Sequence, residues 1–326
     1  MTKFLTMLSV LLVSFNVAAL EIKTAIIAPD GSVWMNVMRD MDKALRSKTN
    51  GRVGFTFYAG GSAGDEKDVI RKINIGQMHA GAFTGVGLGA INSSVRILEL
   101  PLLFDSYKEV DYVTAKLQPE LEKGFDEKGY ILLGWAEAGF VNIFSNTPIR
   151  GQKDMQGVKM WAWEGDPLVK AMYDGFDIVP VPLSLVDVMT ALQTGMINAV
   201  YVPPLGAIAM QWHAKTKYVT NIKLADSTGA LLISKKEFNK IAPADRKILR
   251  DVAGEYCKKL VQTIRRDNEM AVQALKNQGL KFVEVSKEEK KNLLTVSEGV
   301  WKALSGKLYS PELLANTKKY LEESRK

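Results

Sequence analysis

One segment of this chain occurs twice, 119 positions apart, and it constrains the fold more than any other feature. Asp68, Val69, Gly76 and Ala80 recur as Asp187, Val188, Gly195 and Ala199, while Ile70, Ile73 and Met78 correspond to Met189, Leu192 and Ile197. Each copy predicts a short helix, a stop at a left-handed glycine (Gly76 or Gly195), and a buried strand over residues 78–83 or 197–202. Helix, glycine, strand is common punctuation, so the remaining chain has to agree before the repeat means anything. If it does, two similar α/β halves predict two lobes with a cleft between them.

The amino terminus predicts export. Lys3 is followed by an apolar run over residues 4–13, and Val17, Ala18 and Ala19 supply the small residues that signal peptidase requires before its cut. The run is too short to span a bilayer, and no cysteine stands at the cut for a lipid anchor. The expectation is therefore a signal peptide over residues 1–19 and a soluble periplasmic product starting at Leu20. Removing 19 residues from 326 leaves about 307, which exceeds a single core, and a hydrophobic fraction of 47% can fill two. Cys257 is the only cysteine and reads as an apolar filler in a helix. The formal charge of +7 is dispersed among 36 acidic residues, with no basic stripe interleaved with aromatics, so nucleic acid is not an expected partner.

Strands and helices alternate through the first two thirds. Strand patterns over residues 22–27, 51–58, 130–137 and 158–163 are interleaved with helical patterns over 32–48 and 107–128, with Asp166 and Pro167 opening another helix. A long helical pattern over 242–279 follows, then two more helices over 287–307 and 311–323. This predicts an α/β fold with mixed, mostly parallel sheets.

Four stretches resemble the substrate-binding proteins of TRAP transporters, the DctP family. They are AGGSAGDEKDVIRKINIGQ (residues 59–77), VRILELPLLF (95–104), SNTPIRGQKDMQGVKM (145–160) and the run PLSLVDVMTALQTGMINAVYVPP that begins at Pro182. The resemblance implies a two-lobed periplasmic-binding-protein fold with crossing strands and a long lobe-spanning helix. Lobe I would hold residues 20–143 and about 227–265, and lobe II residues 144–226 and about 266–326. It also implies a receptor that closes on one small-molecule ligand and delivers it to TRAP membrane permease subunits. The ends of the repeat strands, near Phe83 and Val202, would then stand on facing walls of the cleft.

The chain departs from this family where the family meets its ligand. The resemblance implies that typical members bind an organic acid through an arginine in the strand after a PxxxDLKG-like turn; aligning residues 157–160 with that strand puts Trp161 at the arginine position. A second family arginine, after a Gly-Phe pair, corresponds to Val141 following Gly139 and Phe140, and a polar pair before the proline of the second repeat copy is replaced by Tyr201 and Val202. Burying a carboxylate without a charged partner costs several kcal/mol, so these replacements predict an uncharged, hydrophobic or aromatic ligand. The expected contacts are Trp161, Trp163, Tyr201, Val202, Phe140, Val141, Phe83 and Trp34, with only one of Tyr201 and Val202 facing the ligand because neighbours in a strand point opposite ways. The competing placement for Trp161 and Trp163 is a lobe core. A cation against the indoles, or an acid bound without the usual arginine, are the other ligand classes compatible with these residues.

Catalytic and cofactor chemistry find no support. There are only two histidines, His79 and His213, and no HExxH, CxxC or GxSxG pattern. Gly85, Gly87 and Gly89 are expected to form a flexible, close-approach loop rather than a phosphate cradle. Asp65 and Glu66 read as the cap and first turn of a helix, and Arg150 as a solvated turn residue. The chain is expected to be no enzyme and to need no cofactor. Its expected partners extend to a periplasmic helper protein for a greasy cargo; the alternative role is a sensor or scaffold that keeps the fold without transport.

Overall fold

The computed structural model describes residues 19–326, so the expected signal segment lies outside the described residues except for Ala19. Two sheets organise the chain. The first runs β2 (Val53–Tyr58), β1 (Leu20–Ile26), β3 (Ala80–Thr84), β10 (Asp226–Ser234), β4 (Tyr130–Phe140). The second runs β11 (Lys281–Glu284), β9 (Tyr218–Asn221), β5 (Asn142–Ser145), β8 (Ala199–Val202), β6 (Met160–Trp163), β7 (Pro180–Leu183). Among the described residues five of the nine strand pairings are parallel, and every antiparallel one involves β5 or β10, the strands adjoining the inter-lobe connections.

The two copies of the repeat fold alike, one in each lobe. Helix α2 (Glu66–Asn74) leads through Gly76 (φ +77°) to β3, and helix α6 (Val188–Thr194) through Gly195 (φ +73°) to β8. In the first lobe, α1 (Val33–Lys48) starts at Ser32, whose hydroxyl accepts from the Met35 amide at 3.3 Å, and buries Met35, Met38, Met41 and Leu45 on one face of the sheet. Helix α4 (Tyr107–Glu127) covers the other face.

Helix α9 (Pro243–Asn277) is 35 residues long, about 50 Å at the helical rise. Leu249, Val252, Leu260 and Ile264 pack in the first lobe, whereas Leu275 reaches the core of the second. Cys257 lies buried within its first-lobe stretch, where burial pushes the thiol up to about 12. At the crossing the chain leaves β4 through Val141 and returns through residues 222–225. Val141 N–H donates to Ala225 O (2.8 Å) and Leu224 N–H to Val141 O (2.9 Å). Gly139 (φ +101°) sits where a Cβ would meet the Asn268 amide of α9. Asn268 donates to Ala138 O (2.9 Å) and accepts from the Leu205 amide (2.9 Å) at the start of α7 (Pro204–Ala209), so one buried side chain joins three elements.

Two expectations need correction. Gly85, Gly87 and Gly89 do not form a flexible loop: they lie in a helix, α3 (Gly85–Ile91). Their missing side chains leave room for neighbours, since a Cβ at these positions would overlap Glu99, then Phe83 and Glu66, then Arg96. The second lobe also does not hold everything after residue 266. Helix α10 (Lys287–Leu304) places Leu293 in the second lobe but Val300, Trp301 and Leu304 in the first, and α11 (Pro311–Ser324) packs on α4 with Tyr112 Oη donating to Glu323 (3.0 Å).

Candidate functional site

A cavity of about 390 Å³ lies between the lobes. The carboxyl ends of both repeat strands open onto it, Phe83 and Thr84 from β3 and Tyr201 and Val202 from β8. Crevices of this kind are the usual ligand sites of open α/β sheets because strand ends converge there without closing the backbone over the space.

The second lobe supplies an aromatic wall. Trp161 is 2% exposed and stacks on Tyr201 with ring centroids 4.7 Å apart and 16° between planes. Trp163 follows at 5.8 Å and Trp212 meets Trp161 edge-on at 5.3 Å. Hydrogen bonds fix the stack: Trp161 Nε1 donates to Leu183 O (3.0 Å) and the Tyr173 hydroxyl to Trp161 O, while the Trp163 amide donates to the Tyr201 hydroxyl (3.3 Å). Burial pushes the phenols of Tyr201 and Tyr173 upward, so both stay neutral.

The first lobe brings charge. Arg96, 4% exposed, sits on a 3-10 segment (Ser93–Glu99) and reaches across the cleft, with Nη2 2.9 Å from Asp166 Oδ2 and Nε 3.2 Å from Glu99 Oε2. Asp166 caps α5 (Pro167–Phe176), accepting from the Leu168 amide at 2.9 Å. Burial pushes the Glu99 carboxyl up to about 7 against the pull of Arg96, and one of its oxygens accepts from the Thr228 amide (3.0 Å). Glu66 lies behind the cleft wall, bonded to the end of β3. It accepts from the Thr84 amide (2.6 Å), the Thr84 hydroxyl (2.8 Å) and the Gly87 amide (2.7 Å), and burial pushes it up to about 8. The lobes touch again where Trp163 Nε1 donates to Asp65 Oδ2 (3.1 Å) and Lys67 Nζ to Glu164 O (3.1 Å).

Of the residues singled out from sequence, the structure brings Trp161, Trp163, Tyr201, Val202, Val141, Phe83 and Trp34 to the cavity. Phe140 is the exception. Val141 turns to the cleft, and alternation sends Phe140 the other way, against Tyr107 (4.7 Å between centroids) and beneath Lys223 Nζ. Tyr201 and Val202 both border the cavity, because the strand ends there and the backbone turns at Pro203 into α7. Trp161 and Trp163 serve the second-lobe core and the cavity together. Arg150 is exposed and pairs with Asp154. Sequence reading missed Arg96, Glu99 and Asp226 as lining residues. The available signal was two opposite charges, Arg96 and Glu99, inside the apolar run VRILELPLLF.

Two sheet-based lobes with a lined cavity at their strand ends are an arrangement suited to holding a small molecule. Residues 24–307 match bacterial extracellular solute-binding protein family 7, DctP, and the chain belongs to that family. It is 26% identical over 271 residues to the C4-dicarboxylate-binding periplasmic protein DctP of Rhodobacter capsulatus, covering 81% of this chain and 80% of the other. It is 27% identical over 245 residues to a solute-binding protein of Verminephrobacter eiseniae, covering 74% and 72%. Its fold is shared with the sugar acid binding protein of Advenella mimigardefordensis in complex with galactonate, at TM-score 0.89 and 19% identity over 95% of this chain and all of the other. A TRAP periplasmic solute-binding protein of Ralstonia eutropha with bound acetolactate gives 0.88 at 20% identity over 93% and 99%. The chain is thus an extracytoplasmic TRAP-type solute receptor, not an enzyme, and family membership implies permease subunits as its partners. No helix among the described residues is long and apolar enough to cross a membrane.

Proposed function

We propose that this receptor binds an uncharged, largely hydrophobic or aromatic small molecule in the periplasm and hands it to TRAP membrane permease subunits. The observation that carries the reading is the Trp161–Tyr201 stack on the cleft wall, flanked by Trp163 and Val202, with Phe83, Val141 and Trp34 facing it. Each aromatic face that a ligand covers contributes on the order of 1–2 kcal/mol through desolvation and stacking. The charges in the cleft agree with a neutral ligand. Arg96 is already matched by Asp166, with Glu99 beside it, so a carboxylate would add negative charge to a buried site where, among the described residues, no further cation lines the cavity. The related C4-dicarboxylate, galactonate and acetolactate proteins take acids, so this reading separates the chain from them by ligand class. A helper protein that shields such a cargo from water, and export through the signal segment of residues 1–19, complete the proposal.

Native mass spectrometry of the mature protein, purified without refolding and then extracted with organic solvent, tests it. Stoichiometric release of a neutral apolar molecule is the expected result. Release of a carboxylate, or a melting temperature raised by succinate or pyruvate and not by aromatic compounds, would overturn it.

A further inference from the structure

The apolar cavity has one polar corner whose hydrogen bonding is incomplete. Arg96 carries five N–H donors, and among the described residues only Nη2 makes a hydrogen bond, to Asp166. Nε is buried without a bonded acceptor despite its closeness to Glu99, and Nη1 has none. Asp226, 2% exposed, borders the same cavity with Oδ1 buried and unpartnered. Buried polar atoms are nearly always satisfied, and donors left open at the edge of a cavity mark where a ligand atom completes the network.

We infer that Arg96 recognises a neutral carbonyl oxygen, a ketone or an amide, at one end of the ligand whose apolar body lies on the Trp161–Tyr201 wall. This rests on the proposed apolar cargo and narrows it. Charge selects a carbonyl over a carboxylate: Asp166 already neutralises the guanidinium, with Glu99 3.2 Å away, while the Nη1 and Nε donors still lack acceptors. Location links recognition to closure. Arg96 comes from the first lobe and Asp166 from the second, so a carbonyl that completes the Arg96 network is read only when the two meet across the cleft.

Three matched probes test the inference by quenching of tryptophan fluorescence in the full mature protein: 2-ethylnaphthalene, 2-acetylnaphthalene and 2-naphthoate. A hydrogen bond to a charged donor predicts that the ketone binds about tenfold more tightly than the hydrocarbon, with the acid weaker than the ketone. In the paired variant Arg96→Met with Asp166→Asn, which removes both charges of the inter-lobe pair, leaves Glu99 without its cation and keeps a capping side chain, the ratio of ketone to hydrocarbon affinity should fall to about one. Should that pair fail to give a native melting transition, Arg96→Lys, which keeps the charge opposite Asp166 but removes the Nε and Nη1 donors, serves for the same ratio. Equal binding of ketone and hydrocarbon by the natural protein, or a ratio that the variants leave unchanged, overturns the carbonyl inference while the apolar receptor stands. Tightest binding of naphthoate, or no binding of any of the three, overturns both.

Discussion

The two walls of the cleft are built on the same local plan and carry opposite chemistry. In the first lobe, α2, Gly76 and β3 end at Thr84, which is bound to a buried Glu66 with Arg96 and Glu99 nearby. In the second, α6, Gly195 and β8 end at Tyr201, stacked on Trp161. The repeated residues Asp, Val, Gly and Ala set helix, stop and strand; the wall chemistry comes from residues that the repeat does not share. A duplicated backbone unit therefore predicts where a ligand sits and says little about what it is.

The comparison can be broken from the aromatic side first. Trp161→Ala removes the centre of the stack, and loss of a buried indole costs about 3–5 kcal/mol. Urea unfolding should show that drop, and naphthyl probes should lose most of their affinity; a variant with unchanged midpoint and binding would mean the wall is not a unit.

The polar wall is tested by pH. Glu66 and Glu99 are raised from an ordinary carboxylate value near 4.5 to about 8 and about 7 by burial. The folded state then holds protons that the unfolded chain releases, so their contribution is complete below pH 4.5 and is lost as pH rises through 7 to 8. The melting temperature should fall between pH 5 and 8, and Glu66→Gln, which cannot ionise, should flatten that fall. An unchanged slope in the variant would show that Glu66 does not titrate in this window.

Smaller effects refine the picture. Gly85→Ala forces a Cβ onto the Glu99 carboxyl and should cost about 1–3 kcal/mol in chemical denaturation. The same change at Gly254, where a Cβ meets nothing, should be neutral or slightly stabilising because alanine favours the helix. Trp163→Phe keeps an aromatic face and deletes the indole donor to Asp65, with an expected loss of about 1 kcal/mol and a more open average shape by small-angle scattering.

Most of the backbone was legible because periodicity and punctuation are local. Ser32 announces α1, Gly76 and Gly195 end their helices, and the pattern over 242–279 becomes α9. The aromatic wall was legible because Trp161 and Trp163 stand in a strand pattern and Tyr201 ends the second repeat copy. What stayed hidden depends on contacts distant in sequence. Arg96 and Asp166 are 70 residues apart and meet only when the lobes do. The glycines of α3 looked like freedom and serve as space, which only the neighbouring Glu66, Glu99 and Arg96 side chains reveal. Phe140 was expected at the cavity together with Val141, yet neighbouring strand positions face opposite ways and it packs on Tyr107 instead.

Asn268 has a mechanical consequence. Its amide holds the end of β4 and the first turn of α7 to one point on the long helix, with both sides of the amide in use. Such a point resembles an axle: rotation about it preserves both bonds, whereas sliding of the lobes would shear them. Any closure that keeps both bonds is a hinge-like swing rather than a slide, and it would bring the two walls to the same register each time.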